Sequence, residues 1–228
     1  MKIALISDVH SNLPALEAVL AAIRRLGIKR VLNAGDNTGY NAFPNETLAM
    51  LAGQGVETIK GNHDMACISG DFTRFTADGA LAEEWNYKNL TIQSSDYLMG
   101  LSEHLDLKIE GLKVAVHHGS PGNPWEYVRD YMVSGLLLEK VKADVLVLGH
   151  THWPYAIRVN GGLVVNPGSV GQPRDGDRRA AFAVLEIVGG KTPMAEIRRV
   201  GYDVERAMEA GRIAGLPTSQ IGRLARGT

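Results

Sequence analysis

Aspartate, histidine and asparagine recur in this chain in five short segments, each placed directly after an apolar run. Ile3 to Ile6 leads into Ser7-Asp8-Val9-His10, Val31 to Ala34 into Gly35-Asp36, and Val56 to Lys60 into Gly61-Asn62-His63-Asp64. Val114 to Val116 leads into His117-His118-Gly119, and Val145 to Leu148 into Gly149-His150-Thr151-His152. A single Asp-x-His or His-x-His is usually an ordinary hydrogen-bonded pair, but six of the seven histidines fall in these segments and only His104 lies outside. Such concentration is the signature of metal ligation. Oxygen and imidazole donors without cysteine suit manganese, iron, zinc, nickel or cobalt rather than Cu(I) or an iron–sulfur cluster. Asp8, His10, Asp36, Asn62, His118, His150 and His152 make seven candidate ligands, too many for one four-coordinate zinc with an open position. Two divalent ions are the natural solution. They bring +4 against −2 from the two aspartates, a net positive site that favours a phosphate oxyanion and hydroxide.

The elements that must position these residues follow from the apolar runs. Lys2 to Ser7, Arg30 to Ala34 and Val56 to Lys60 read as buried strands. They alternate with helices from about Pro14 to Leu26, with Asn12 or Leu13 near its N-cap, and from Pro44 to Gln54. Alternation of this kind implies parallel pairing and helical cover. In such sheets ligands collect outside the carboxyl ends of the strands, so five strand ends would converge on one crevice. Asp78 to Gly100 reads as helical. Asp106 to Glu110 and Leu112 to His117 flank Glu110-Gly111, a hairpin signal, and Tyr155 to Val159 pairs with Leu163 to Asn166 across Asn160-Gly161-Gly162. Asp144 to Leu148, Ala181 to Val188 and Ala195 to Val200 supply further strands, and a helix from about Val204 to Ala214 follows. Without repeats or long linkers, 1–228 reads as one domain, with 203–228 a helical extension.

Composition narrows the function. Twenty-four basic against 25 acidic side chains give a formal charge of −1, so no basic field points to nucleic acid or an anionic membrane. No window approaches the roughly 20 apolar residues of a membrane span. The four-residue apolar run before Ser7 is too short for a signal peptide. A single cysteine, Cys67, allows no internal disulfide and suits a reducing cytoplasm.

The order Asp-x-His, Gly-Asp, Gly-Asn-His-Asp, His-Gly and Gly-His-Thr-His, spanning 8–152, resembles the calcineurin-like metallophosphoesterase superfamily. Asn166-Pro-Gly-Ser169 and the following Val170 to Asp175 resemble its small prokaryotic phosphodiesterase-like branch. The resemblance implies an α/β fold, a two-sheet β-sandwich flanked by helices. It implies one ion on Asp8, His10 and His152, a second on Asn62, His118 and His150, and Asp36 bridging both. It also implies that His63 is no ligand but faces the scissile phosphate, with Asp64 orienting its ring, and that His117 points elsewhere.

The expected activity is hydrolysis of a small phosphoester, a diester before a monoester, in which a hydroxide bridging the ions attacks phosphorus and His63 assists the leaving oxygen. A nucleotide-derived substrate fits, and homo-oligomerisation is left open. The rival readings are a catalytically silent scaffold and a protein phosphatase; the intact ligand set argues against the first, the short chain against the second. Asn12 could bind substrate or cap the first helix. Tyr40 and Trp125 could stack on a base or serve packing, and Arg174 and Arg178 could grip phosphate or face solvent. Arg212, Arg223 and Arg226 read as a solvated helix face.

Overall fold

The computed structural model describes residues 1–189 and 192–228. Two five-stranded sheets pack face to face. The first has the order β10-β9-β1-β2-β3 and the second β4-β5-β6-β8-β7. In the first, β1 (Lys2–Ile6), β2 (Val31–Asn33) and β3 (Glu57–Thr58) run parallel, β9 (Ala180–Glu186) pairs antiparallel with β1, and β10 (Met194–Val200) pairs antiparallel with β9 at the edge. In the second, β5 (Leu112–His117), β6 (Val145–Val147) and β8 (Gly162–Asn166) are parallel. The hairpin partners β4 (His104–Ile109) and β7 (Tyr155–Val159) close its two edges.

Strand parity decides which layer each residue enters. Ile3, Leu5, Val114, Val116, Val145 and Val147 fill the space between the sheets. Their neighbours Ala4 and Ile6 turn outward against helix α1 (Leu13–Arg25), and Ala115 and Leu146 against α6 (Gly135–Val141). Both faces of each central strand are therefore buried, which is why these strands read as unbroken apolar runs.

The sequence reading placed β1, α1, β2, α2 (Pro44–Gly53) and the late hairpins within one or two residues, the usual fraying of element ends. The helical stretch from Asp78 resolves into α4 (Ala77–Asn89) and α5 (Ile92–Gly100). Two helices were not anticipated, α3 (Asn62–Ser69) and α6, whereas α8 (Thr218–Arg226) falls in the helical extension expected over 203–228. The first turn of α3 is built from the candidate ligand Asn62 together with His63 and Asp64, so no apolar periodicity announces it. In α8 only Ile221 and Leu224 are buried apolar residues. It packs on α4 and on α7 (Val204–Ile213), with Leu216 and Ile221 against Ala82. Among the described residues no helix is long and apolar enough to cross a membrane.

Candidate metal centre

Asp8 and His10 follow β1, Asp36 follows β2, Asn62 opens α3 after β3, His118 follows β5, and His150 and His152 follow β6. All seven are buried. Five of them, Asp8, His10, Asp36, His150 and His152, adopt positive φ between 47° and 66°. Side chains other than glycine rarely do so, and each such residue costs about 1–3 kcal/mol unless its surroundings enforce it. Here the loops after β1 and β2 enforce it by bonding to one another, Asp8 N–H to Gly35 C=O at 2.9 Å and His10 N–H to Asp36 C=O at 3.0 Å. Gly61 is required by close approach instead, since a Cβ there would lie 2.0 Å from Asp36 Oδ1.

The side chains form linked triads, Asp8 with His10 and His152, His10 with Asp36 and His63, and Asp36 with His118 and His150, whose donor atoms lie within 4.8 Å of one another. Asp36 Oδ2 stands 3.0 Å from His118 Nε2 and 3.7 Å from His10 Nε2. His118 Nε2 is also 3.0 Å from Asn62 Oδ1, and His152 Nε2 is 3.3 Å from Asp8 Oδ1. Three of the four histidine rings, those of His10, His118 and His152, are fixed from behind, as metal-ligating histidines usually are. Nδ1 of His10 donates to Thr38 C=O (3.0 Å), of His118 to Ala34 C=O (2.8 Å), and of His152 to Gln172 C=O (2.5 Å).

Those bonds test whether a cation fits. Burial holds both His10 and His152 below the ordinary histidine range, so both are neutral. With the proton on Nδ1 in each, both Nε2 atoms are bare lone pairs, yet they face each other at 3.1 Å. Two acceptors at that distance repel unless a positive charge lies against them. Asp36 Oδ2 and His150 Nε2 are likewise buried with no hydrogen-bond partner. Buried polar atoms are almost always paired, so this concentration of orphans fits divalent ions. Burial also pushes the His150 imidazole down to about 3, the neutral form that ligates. For Asp36 burial works the other way, but the imidazoles of His118 and His63 outweigh it and keep the carboxyl well below its usual range.

The structure corrects the expected role of Asp64. Its carboxylate accepts from the N–H groups of Asn37 (3.0 Å), Thr38 (3.0 Å) and Gly61 (2.9 Å) and from the Thr38 hydroxyl (2.9 Å), so it caps α3 and pins the loop after Asp36. The group on His63 is Glu83 of α4, with Oε1 2.6 Å from Nδ1. Burial lowers the basicity of His63, but Glu83 and then Asp36 raise it further, leaving the ring above the ordinary histidine value. Sequence reasoning missed Glu83. It belongs to a stripe of small and polar residues, Gly79, Ala82, Glu83 and Asn86, that resembles a solvated helix face and is buried instead.

Beside the ligands opens a cavity of about 520 Å³ whose walls include Tyr40, His63, Phe75, Trp125, Tyr127 and Arg174. Tyr40 packs on His10 and His63 with ring centroids 4.6 and 4.5 Å away, and Trp125 lies against Phe75 at 5.4 Å. Asn12 is not among these wall residues, and of its two expected roles the structure shows the helix cap rather than the substrate contact. Its Oδ1 accepts from Ala15 N–H as the cap of α1, and its Nδ2 donates to Gly171 C=O at 2.8 Å. Arg178 is exposed away from the cavity. Arg223, expected on a solvated face, lines it together with Gln220, whereas Arg212 and Arg226 are exposed. His117 stands outside the ligand triads, stacked on His104 across β4 and β5 at 5.3 Å. Cys67 is buried and free, its thiol pushed up by burial.

A sequence model of the calcineurin-like phosphoesterase superfamily domain matches residues 1–190. A probable metallophosphoesterase of Methanothermobacter thermautotrophicus is 31% identical over 220 residues, covering 93% of this chain and 100% of that protein. A protein of Methanocaldococcus jannaschii is 34% identical over 225 residues, 91% of this chain and 90% of its own length. The crystal structure of a metallophosphoesterase from Sphaerobacter thermophilus superposes with a TM-score of 0.84 at 33% identity, covering 100% of this chain and 99% of that one. The chain belongs to the calcineurin-like phosphoesterase superfamily. Its fold is the expected pair of sheets flanked by helices.

Proposed function

We propose that this chain is a binuclear metal-dependent phosphodiesterase, hydrolysing small phosphoesters in the cytoplasm. The observation that carries the reading is the pair of bare imidazole nitrogens of His10 and His152, 3.1 Å apart at the cavity and joined there by the unpartnered Asp36 Oδ2 and His150 Nε2. Asp8, His10 and His152 would hold one ion and Asn62, His118 and His150 the other, with the carboxylate of Asp36 reaching both. Manganese, iron, zinc, nickel and cobalt all suit this donor set. Held by these residues, such cations would lower the pKa of water from about 15.7 towards about 7 and would neutralise charge on phosphate.

The chain's own residues do the rest. His63 presents Nε2 towards the ligand cluster, 3.9 Å from Asp36 Oδ2, while Glu83 holds Nδ1 and with it the ring's orientation. A proton on that Nε2 can pass to the leaving oxygen, a contribution of about 10²–10⁴ in rate. A cavity of about 520 Å³ has room for more than a phosphoryl group, which favours a diester, and aromatic rings such as Trp125 and Tyr127 suit a nucleotide-derived one. The free, buried Cys67 is compatible with a reducing compartment.

The test is elemental analysis of reconstituted protein beside turnover of bis(p-nitrophenyl) phosphate and p-nitrophenyl phosphate. About two ions per chain, loss of turnover on chelation and faster cleavage of the diester are expected. Saturation at one ion, or turnover untouched by prolonged chelation, refutes the binuclear reading. Two ions with no turnover of either ester would make the chain a binding scaffold.

A further inference from the structure

Residues 1–190 match the superfamily domain, yet part of the cavity wall comes from outside that span. Helix α8 carries Gln220 and Arg223, one turn apart and therefore on one face, into the cavity. Gln220 is buried, and its Oε1 accepts from Gln172 Nε2 at 3.5 Å. Gln172 in turn accepts from Arg174 Nη2 through Oε1 (3.2 Å), and through its carbonyl from His152 Nδ1. The helix is thus tied through one glutamine to a cavity arginine and to a candidate metal ligand.

The charges on that wall do not balance. Arg74, Arg174 and Arg223 line the cavity, and no carboxylate does among the described residues. Nor does any of the three arginines form a salt bridge among the described residues, although Arg179, Arg198, Arg199, Arg206 and Arg212 all do. Arg174 is the most confined. Its Nη2 reaches only neutral acceptors, the Tyr40 hydroxyl at 3.1 Å and Gln172, and its Nε is buried with no partner at all. A guanidinium cannot shed its proton, and a buried unpaired charge is strongly unfavourable, so an anion is its natural complement. A simple diester brings one negative charge, which the positive ligand site already meets.

We infer that Arg174 and Arg223 form a second anion subsite, and that the substrate is a phosphoester carrying a further phosphoryl group besides the one that reacts. This rests on the phosphoesterase reading for the identity of the reacting bond, but the subsite itself is defined by the arginines. Arg174 supplies the confined end of the subsite and Arg223 the end contributed by α8. Selectivity for the second anion is then shared between Arg174 inside the superfamily domain and Arg223 outside it, while the candidate ligands are unchanged.

The experiment uses two esters with the same reacting bond, thymidine 5′-(p-nitrophenyl phosphate) and its 3′-phosphorylated counterpart, on the metal-loaded full chain. The wild type should favour the second by at least about tenfold in kcat/KM, mostly through KM, as charged hydrogen bonds of this kind imply. Arg223→Ala and Arg174→Ala should each bring the ratio to within about twofold of one, and Arg223→Lys should retain part of it. Calorimetry with thymidine 3′,5′-bisphosphate and thymidine 5′-monophosphate reads the same preference without turnover. Equal affinities in the wild type, or a preference that survives both alanine variants, overturns the subsite. An arginine-dependent preference for the bisphosphate in a protein that cleaves neither ester supports the subsite and refutes the phosphoesterase reading instead.

Discussion

Left-handed backbone at the hairpin tips and at the ligand-bearing strand ends has different origins. At the hairpin tips Glu110 and Gly111 have φ of 50° and 85°, and Asn160 and Gly161 have 47° and 80°. Both tips are exposed, both join antiparallel strands through two residues, and both obey local turn chemistry, which asks for positive φ at each position and glycine at the second. At the strand ends Asp8, His10, Asp36, His150 and His152 take the same conformation with none of that local encouragement, and all are buried. What holds them is distant in sequence: Gly35 for Asp8, the Asp36 carbonyl for His10, and the Asp8 carboxylate, 3.1 Å from His150 N–H. A hairpin tip is strained because a short connection needs it. The strand ends are strained because the side chains have to meet.

Substitutions should separate the two kinds, and the largest effect is expected at Asp36. Asp36→Asn removes charge at the atom between the two halves of the cluster and should abolish turnover, with metal content below that of His10→Ala. Elemental analysis of both variants decides it, and two ions retained in Asp36→Asn would show that this carboxylate bridges nothing. Next comes His63→Gln, expected to keep both ions and slow turnover by about 10²–10⁴-fold. That is a barrier increase of roughly 3–5 kcal/mol. The loss should shrink for acidic leaving groups such as nitrophenolate; an equal loss for good and poor leaving groups would make His63 a phosphate-binding cation, and loss of metal would make it a ligand.

Smaller still is Gly39→Ala. Gly39 has φ of 97°, and a Cβ there would sit 2.4 Å from Glu83 Oε1 and 2.6 Å from His63 Nδ1. The variant should lose about 1–3 kcal/mol of stability in denaturant titration. It should also lose turnover while metal content stays at the wild-type value, because the displaced pair is His63 and Glu83 rather than the ligands. Unchanged turnover would mean that Glu83 does not orient the ring. The smallest effect belongs to the hairpin. Asn160→Ala should cost about 1–2 kcal/mol for a left-handed alanine and leave metal content and turnover alone. A change in metal content there would erase the distinction between the two kinds of turn.

The same distinction explains what could be read from the sequence. Strand ends and hairpins were legible because apolar runs and Glu110-Gly111 or Asn160-Gly161 are contiguous signals. The seven candidate ligands were legible because each follows such a run. The family resemblance paired Asp64 with His63, yet in the first turn of α3 its carboxylate turns back to Gly61 and the loop of Asn37 and Thr38. Glu83 was invisible because burial of a polar stripe depends on what packs over it, here Gly39 and His63. The cavity role of Arg223 was hidden for a related reason. With only Ile221 and Leu224 as apolar anchors, α8 reads as a surface helix until α4 and α7 are placed beneath it.

The position of α8 along the chain bears on the order in which the protein is assembled during synthesis. All seven candidate ligands lie between residues 8 and 152, whereas the helix that walls the cavity ends at Arg226, 226 − 152 = 74 residues later. At roughly 5–20 residues per second, a ribosome needs about 4–15 s to cover that distance. During that interval the ligand loops have left the ribosome, or are leaving it, while Arg223 has yet to be made. The candidate ligands are therefore all made before the arginine that α8 adds to their cavity.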